Sequence, residues 1–179
     1  MTGNLPDILA ENLSVVFCGL NPGSAAAATG HHFVGRGNRF WRVIHLAGFT
    51  PTQIDPDRDS SILQFGCGLT TVVERPTASA NQVAAAEFVA GGAALERKVE
   101  RYAPRCVAFL GKAAFAAIVR QHRVAWGRQE ARIGDAVVWV LPNPSGRNLN
   151  FKLEALVEAY RELREELVQI PGTRVHGRI

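Results

Sequence analysis

Short apolar runs that alternate with helical patterns constrain the fold of this chain more than any other feature of its sequence. Four such runs, rich in β-branched and aromatic residues, span residues 14–20, 68–73, 105–110 and 137–141. Helical patterns lie at residues 38–47, 83–102, 112–121 and 151–168. Strands that alternate with helices indicate a parallel sheet covered on both faces. We therefore predict an α/β fold with three layers, α/β/α, around a central, mainly parallel four-stranded sheet.

The 179 residues are enough for about one domain. We place a single domain at residues 14–168, after a loose polar lead-in at 1–13 and before a flexible tail at 169–179. A long Gly- and Ala-rich loop is predicted at 21–37, and a hairpin is predicted across Gly134-Asp135.

Composition excludes several classes of protein. With 47% hydrophobic and 20% charged residues, the chain is not disordered in bulk. No apolar run is long enough to span a membrane, and the N-terminus lacks the pattern of a secretory signal. Cys18, Cys67 and Cys106 fit buried, reduced thiols of a cytoplasmic protein and match no metal-site spacing. We therefore expect no metal, cofactor or membrane partner. We also expect a monomer. The net charge of +4 favours an anionic partner only weakly.

Each predicted strand runs into an unusual loop. These loops are Asn21-Pro22-Gly23, Glu74-Arg75-Pro76, Gly111-Lys112 and Asn143-Pro144-Ser145-Gly146-Arg147. In parallel α/β sheets the ligand crevice lies at the carboxyl ends of the strands. The loops therefore predict one shared site.

Two residues of the first loop are candidates for contact with a ligand. Pro22 places Asn21 in an extended or turn backbone, and a neutral amide there would orient a nucleophile rather than deprotonate it. An Asx-turn without chemistry is an equally open interpretation for Asn21. Phe33, in a polar loop, would either stack on a planar ligand or pin the loop to the domain. His31 and His32 have no carboxylate or Cys beside them in sequence, so we do not predict a metal site there.

Several motifs occur together and in a fixed order along the chain. They are Asn21-Pro22-Gly23, residues 29–33 (TGHHF), 37–41 (GNRFW), 68–77 (GLTTVVERPT) and 141–146 (LPNPSG) followed by an arginine. This set resembles the mismatch-specific uracil/thymine DNA glycosylases of the uracil-DNA glycosylase superfamily. The resemblance covers about residues 14–167.

The resemblance implies a site that removes a mispaired base flipped out of duplex DNA. Asn21 would position the attacking water, and Phe33 would stack on the base. The implied base-binding residues are Gly23, Ala26, His32, Phe33, Thr71 and Asn143, with backbone groups near Ala26 and His32 reading the uracil edge. The implied DNA contacts, including the side chains that enter the gap left by the base, are Ser145, Gly146, Arg147, Asn148 and Lys112.

Some positions depart from parts of the family. Ala26 replaces a Ser of certain bacterial members, and Thr71 replaces a Lys or Asn of others. The His31-His32 pair and Arg147 look more like the animal enzymes, so the preference among uracil, thymine and modified cytosines stays open.

Glu74 has two interpretations. As an acid at a strand end it could stabilise the developing sugar cation or help to activate water. The interpretation that we favour is an ion pair with Arg75 or Arg39.

The leading hypothesis is a monofunctional glycosylase for mispaired uracil in duplex DNA, with the G·U pair as its target. The first loop has no Lys to form a Schiff base, so strand cleavage is not expected. A non-catalytic DNA module that recognises damage would keep Arg147 but would not need Asn21. A small nucleotide hydrolase would need a metal or a phosphate-binding loop, and the sequence offers neither.

Overall fold

A computed structural model describes residues 5–170 and has a five-stranded sheet at its centre. The strands are β1 (Val15–Gly19), β2 (Cys67–Thr71), β3 (Cys106–Leu110), β4 (Gly127–Ile133) and β5 (Ala136–Leu141), in the order β2-β1-β3-β5-β4. All neighbours pair in parallel except β4 and β5, which are antiparallel. The predicted mainly parallel α/β fold is confirmed.

Helices cover both faces of the sheet. The helices are α1 (Ser24–Thr29), α2 (Phe40–Leu46), α3 (Ala85–Tyr102), α4 (Lys112–Val119) and α5 (Leu153–Gln169), and 3-10 segments lie at Pro56–Phe65 and Ala80–Gln82. One core cluster joins α2 and α5 to the sheet, and a second joins α3 and α4 to its other face. The strands of a sheet covered on both faces read as continuous apolar runs, which is why the sequence revealed them.

The prediction of four strands was wrong by one. β4 extends the predicted hairpin arm back to Gly127 and forms the edge of the sheet. Its residues are mostly exposed or half-buried, and the register shifts between Arg128 and Arg132, which indicates a bulge. A polar, irregular edge strand has no apolar run, so sequence reasoning identified only the arm next to the hairpin turn and did not count it as a strand of the sheet.

The predicted loop at 21–37 contains a helix. The run Ser24–Thr29 forms α1, which Gly30 ends in a left-handed conformation. Alanine has the highest helix propensity, so its repetition here stabilises a short helical turn that the flanking glycines had obscured.

Residues 5–13 are packed against the sheet rather than forming a loose lead-in. Leu5, Ile8 and Leu13 are buried. The N–H and carbonyl groups of Ile8 both hydrogen-bond to Leu69 of β2, at 2.9 and 2.8 Å. A flexible tail was predicted at residues 169–179. Of these, residues 171–179 lie outside the described part of the chain.

Two glycines in the middle of α3 have a packing reason. A Cβ at Gly91 would lie 2.2 Å from the carbonyl oxygen of Val72, just after β2. A Cβ at Gly92 would lie 2.9 Å from Ile118 of α4. Helix α3 can approach both neighbours closely only because these positions have no side chain.

The three cysteines are buried and free, as predicted. Burial raises the pKa of Cys67 and of Cys106 to about 12, and it raises the pKa of Cys18 further. None of them is a thiolate at neutral pH, so they offer no nucleophile. Between residues 5 and 170 no helix is long and apolar enough to span a membrane, and no group of three or more His, Cys, Asp or Glu could hold a metal ion.

Candidate active site

A cavity of about 880 Å³ lies at the carboxyl ends of the parallel strands. The chain leaves β1 for β2 on one side and later returns to β3 on the other, so the strand order reverses at this place. Eleven of the residues predicted for the site line the cavity: Asn21, Gly23, Ala26, His32, Phe33, Thr71, Asn143, Ser145, Gly146, Arg147 and Asn148. Glu74 and Lys112 do not.

The side-chain amide of Asn21 is held in one orientation. Its nitrogen donates to the carbonyl oxygen of Arg75 at 3.0 Å and to Thr77 Oγ1 at 2.7 Å, and it lies 3.2 Å from the carbonyl oxygen of Pro22. The Thr77 hydroxyl in turn donates to the carbonyl of Ser79 at 2.8 Å. Because carbonyl oxygens only accept, the amide cannot flip without losing these bonds.

This orientation leaves Asn21 Oδ1 as an acceptor without a protein partner among residues 5–170. No buried side-chain polar atom in that range lacks a partner, so Oδ1 is open to solvent. An amide oxygen fixed in this way can accept a hydrogen bond from water and hold the water in place, but it is too weak a base to deprotonate it.

Asn143 presents the opposite end of its amide. Its Oδ1 accepts from the backbone N–H of Ser145 at 2.9 Å, which orients the amide and leaves the NH₂ group without a hydrogen-bond partner among the described residues. Asn21 and Asn143 both line the cavity. The site therefore offers a fixed acceptor on one wall and a fixed donor on another.

Phe33 lies between the core and the cavity. Its ring stacks on Phe40 with the centroids 4.0 Å apart and an angle of 25°, and it lines the cavity while remaining half-buried. Phe33 therefore pins the loop to the domain and also borders the cavity. Its position is compatible with both interpretations, and stacking on a ligand stays a prediction. Its backbone has a φ of 55°, a strained conformation for an aromatic residue.

His32 anchors its loop through nearly all its polar groups. Its N–H donates to Asp59 Oδ2 at 2.8 Å, its carbonyl accepts from Trp41 Nε1 at 3.1 Å, and its Nε2 donates to the carbonyl of Pro6 at 2.8 Å. Burial lowers the pKa of His32, so the ring is neutral at pH 7. The N–H and the carbonyl of His32 each have a partner within the protein. That backbone groups near His32 read the base stays a prediction.

Arg39 is a site residue that sequence reasoning missed. Its guanidinium lies under the last loop and donates to four backbone carbonyls: Phe151 at 2.6 Å, Ser145 at 2.9 Å, Asn148 at 3.0 Å and Pro144 at 3.3 Å. A planar guanidinium with five donors on three nitrogens can bind four carbonyls at once, whereas Lys has only three donors on one nitrogen. The GNRFW motif was the only available signal, and it says nothing about partners that lie more than a hundred residues away.

The last loop also packs directly on the first. A Cβ at Gly146 would lie 2.7 Å from the carbonyl oxygen of Gly37, so only glycine permits this approach. Arg147, next along, extends its guanidinium to the carbonyl of Ala78 at 3.1 Å. Its side chain therefore joins the last loop to the segment that follows β2.

Glu74 lies outside the cavity, and the predicted ion pairs with Arg75 or Arg39 do not form. Arg75 binds Glu87 with two hydrogen bonds, at 2.8 and 2.9 Å, and Arg39 binds carbonyls. The nearest cation to Glu74 is Lys98, with Nζ 3.9 Å from Oε1, and the carboxylate side chain is 67% exposed. Glu74 is thus a solvated acid at the margin of the site.

For the base release that the resemblance implies, we expect Glu74→Gln to reduce the rate by no more than about threefold, because an exposed ion pair contributes little free energy. Single-turnover release and thermal unfolding should be measured on the same preparation. A loss larger than that of Asn21→Ala, with unchanged stability, would show that the chemistry lies in the loop after β2.

Lys112 is separated from the other predicted residues. It begins α4, and its Nζ lies 4.2 Å from the ring centroid of Trp126, an indole that is 43% exposed. A cation over an aromatic face is stabilised there, so Lys112 belongs to a neighbouring surface.

A second cavity, of about 630 Å³, lies at the opposite end of the sheet. Two of its arginines are already engaged, Arg105 with the Ile170 carbonyl and Ser14, and Arg128 with Glu166. It lies at the amino ends of β3 and β5, away from the strand ends where ligands bind in such folds.

The sequence matches the family described as the Uracil DNA glycosylase superfamily over residues 6–164. Among solved structures, the fold is similar to a solution NMR structure of a Methanosarcina acetivorans protein named "putative Uracil DNA glycosylase". That match has a TM-score of 0.60 and 19% identity, and it covers 91% of this chain and 98% of the other. At such low identity the structural similarity concerns the fold alone.

The chain belongs to the uracil DNA glycosylase superfamily, because the family match extends over most of its length. Members of this superfamily act on DNA and hydrolyse the N-glycosyl bond between base and sugar. Membership supports a DNA glycosylase function, and the cavity at the carboxyl ends of the strands is its candidate active site.

Proposed function

We propose that this protein is a monofunctional DNA glycosylase that flips mispaired uracil out of duplex DNA and hydrolyses its N-glycosidic bond, leaving an abasic site. The observation that carries the proposal is the pair of opposed amides on one cavity. Asn21 offers a fixed acceptor, and Asn143 offers a fixed donor.

The two amides match the charges of the reaction. Cleavage of an N-glycosidic bond develops positive charge on the sugar and negative charge on the departing base. Asn21 Oδ1 would hold the attacking water, and the Asn143 amide would donate to an oxygen of the base as its charge grows. Donors that are oriented before the reaction stabilise such charge most effectively. Phe33 would stack on the face of the base.

The absence of lysine from the first loop supports a hydrolytic mechanism without strand cleavage. Residues 21–38 contain no Lys, so no amine is available there for a Schiff base with the sugar. Reaction in the presence of borohydride should therefore trap no covalent complex between the protein and DNA. Product strands should break only after alkaline treatment.

The substrate range is proposed as uracil in G·U pairs, with thymine and modified cytosines as the bases to compare. Ala26, in the first turn of α1, contributes only a methyl group to the cavity, and Thr71 contributes a short side chain. Neither presents a charge to the base, so we expect discrimination to come from backbone groups and from the ease of flipping a mispaired base.

The test is release of free base from a duplex with one G·U pair, compared with A·U, G·T and single-stranded uracil. We expect the fastest release from G·U, because a mismatched base leaves the stack most easily. Tight binding to the G·U duplex with no released base would instead support the non-catalytic damage-binding function. Equal release from A·U and G·U would contradict mismatch preference.

We propose that Arg147 enters the gap left by the flipped base. Arg147→Ala should then lower duplex base release by about tenfold, because the unstacking that the side chain offsets costs a few kcal/mol. Release from single-stranded uracil should change little, since no stacked neighbour needs to be replaced there. Fluorescence of a base analogue beside the G·U pair measures extrusion directly.

The salt dependence of binding distinguishes insertion from a phosphate contact. Loss of an ordinary phosphate contact would flatten the salt dependence by about one counterion and leave extrusion unchanged. That result would contradict the insertion of Arg147.

A further inference from the structure

Trp126 is an exposed aromatic residue at the same edge of the sheet as the candidate active site. It is 43% exposed, whereas the other two tryptophans of the chain, Trp41 and Trp139, are buried. It comes directly before β4, and the antiparallel pairing sets Gly127, the first residue of β4, opposite Val140, next to the end of β5. Trp126 therefore lies beside the carboxyl end of β5, where the last loop begins.

The indole of Trp126 is fixed between two neighbours. Lys112 Nζ lies 4.2 Å from its ring centroid, and the ring of Phe151 stands nearly perpendicular to it, at 85° and with 5.4 Å between the centroids. The carbonyl of Phe151 accepts a hydrogen bond from the Arg39 guanidinium, which also binds the last loop. The exposed indole is thus attached to the residue that orders the loop of the candidate active site.

Unpaired positive charge lies around this indole. Neither Lys112 nor the exposed Lys152, which precedes α5, forms a salt bridge within residues 5–170. The third lysine of the chain, Lys98, binds Asp7 at 2.7 Å. Residues 111–129 contain four Lys or Arg and no Asp or Glu. An exposed aromatic ring beside unpaired ammonium groups fits an anionic partner rather than an apolar one.

We propose that Trp126, Lys112, Phe151 and Lys152 form a second contact with DNA, which binds the backbone of one duplex arm outside the flipped nucleotide. This inference rests on the proposed function and extends the DNA interface beyond the cavity, since none of the four residues lines it. We name these four residues the arm surface. Because the arm surface and the cavity lie at one edge of the sheet, one straight duplex can reach both.

Each group of the arm surface has a separate role in this contact. Lys112 and Lys152 would neutralise phosphates, which gives affinity without sequence preference. The indole N–H of Trp126 has no acceptor among residues 5–170, unlike that of Trp41, which donates to a backbone carbonyl at 3.1 Å. It would donate to a phosphate oxygen. Phe151 holds the indole in place, so little conformational entropy is lost on binding.

The experiment measures how tightly variants of the arm surface bind duplexes with different arms. Each duplex has one G·U pair with a 2′-fluoro uracil nucleotide that resists cleavage, and carries both arms, only the arm upstream of the uracil or only the arm downstream. The variants are Trp126→Ala, Trp126→Phe and Lys112→Gln. Arg101→Gln is a matched control, because Arg101 also lies over an aromatic ring, 5.1 Å from the centroid of Tyr102, but at the end of α3 that leads to the amino end of β3.

With both arms present, we expect Trp126→Ala and Lys112→Gln to weaken binding by about five- to tenfold, and Lys112→Gln to lower the salt dependence by about one counterion. Trp126→Phe keeps a ring beside Lys112 and removes the N–H, so its loss should be smaller. When the arm that crosses the arm surface is removed, these variants should bind as the wild type does. Arg101→Gln should match the wild type on every duplex.

Intrinsic fluorescence measures the contact directly, because Trp126 is the exposed member of the three tryptophans. Acrylamide should quench Trp126 in the free protein and quench it less when the duplex with both arms is bound. Trp126→Phe supplies the signal of the two buried indoles, which is subtracted. Melting temperatures of all variants separate loss of the contact from loss of folding.

Binding within twofold of wild type by Trp126→Ala and Lys112→Gln, with both arms present, would overturn the proposal, as would unchanged quenching of Trp126 in the complex. A loss of equal size on all three duplexes would also overturn it, since no single arm would then contact this surface. Failure of the proposed function would look different. The wild-type protein would release no uracil from a cleavable G·U duplex, while arm-dependent binding and protection of Trp126 would still test the arm surface.

Discussion

Asn21→Ala should slow uracil release from a G·U duplex by about 100- to 1,000-fold, the size of effect that follows loss of one oriented group at a reacting centre. The reason is the fixed direction of the amide, whose nitrogen is bound to Arg75 and Thr77 and whose oxygen faces the cavity. Duplex affinity should stay within about threefold, since the amide contacts no phosphate in this proposal. Single-turnover kinetics and a binding titration measure the two quantities separately.

Two further variants test the orientation rather than the presence of Asn21. Asn21→Asp has the same shape, but its second oxygen would face the carbonyls of Arg75 and Pro22, which repel it. Thr77→Val leaves Asn21 in place and removes the hydroxyl that holds it. Both should be impaired, Thr77→Val less than Asn21→Ala. Near-normal release by a folded Asn21→Ala protein would remove Asn21 from the mechanism.

Arg39→Met should disorder the last loop and lower duplex uracil release by about 100-fold, with a loss of unfolding free energy of about 2 kcal/mol. All four carbonyls lose the guanidinium as a donor in this variant, and those of Asn148 and Phe151 keep no other hydrogen-bond donor among the described residues. Asn143 and Ser145, whose mutual hydrogen bond orients the proposed donor to the base, lie at the beginning of the same loop. Hydrogen exchange of the amides in residues 145–151 reports the order of the loop independently of activity.

The controls for Arg39 are a conservative and a matched substitution. Arg39→Lys keeps the charge but cannot reach four carbonyls from one nitrogen, so it should behave more like Arg39→Met than like wild type. Arg42→Met removes an exposed arginine from α2, the helix that begins directly after Arg39, and should leave stability and activity within experimental error. Unchanged exchange in residues 145–151 of Arg39→Met would show that the loop is ordered by other contacts.

The loops of the candidate site are ordered in the absence of DNA. The first loop is bound to Asp59 and Pro6 through His32, and the last loop is bound to Arg39. The two meet where Gly146 touches Gly37. Little binding energy is needed to order loops that are already in place. More of the binding energy is then available to extrude the base from the stack.

The general position of the site followed from the sequence. Four apolar runs separated by helical patterns predict parallel strands, and the carboxyl ends of parallel strands meet at one edge of a sheet. The loops at Asn21 and Asn143 therefore had to lie near each other, and they line one cavity. The motifs that carry the resemblance to uracil/thymine glycosylases predicted the superfamily, which the match over residues 6–164 confirms.

Local features without an apolar pattern escaped the sequence analysis. Only the hairpin arm of β4 next to the Gly134-Asp135 turn was predicted, because the strand is polar and bulged. Helix α1 is hidden between glycines, and Ile8 joins the sheet through a single bridge to Leu69. Each of these is stabilised by a neighbour that lies elsewhere in the chain. Sequence periodicity indicates which residues of one element are buried. It gives no information about partners elsewhere in the chain.

Tertiary structure alone decided which polar group serves which purpose. The sequence placed Glu74 and Lys112 in the site, but the fold turns Glu74 toward Lys98 and solvent and places Lys112 on Trp126. It offered Arg39 or Arg75 as the ion-pair partner of Glu74, whereas Arg39 binds carbonyls more than a hundred residues away. Hydrogen bonds depend on direction and on distances of about 3 Å, which only the folded backbone determines. The sequence determined that asparagines would stand at the strand ends; the tertiary structure decided that one presents its oxygen and the other its nitrogen.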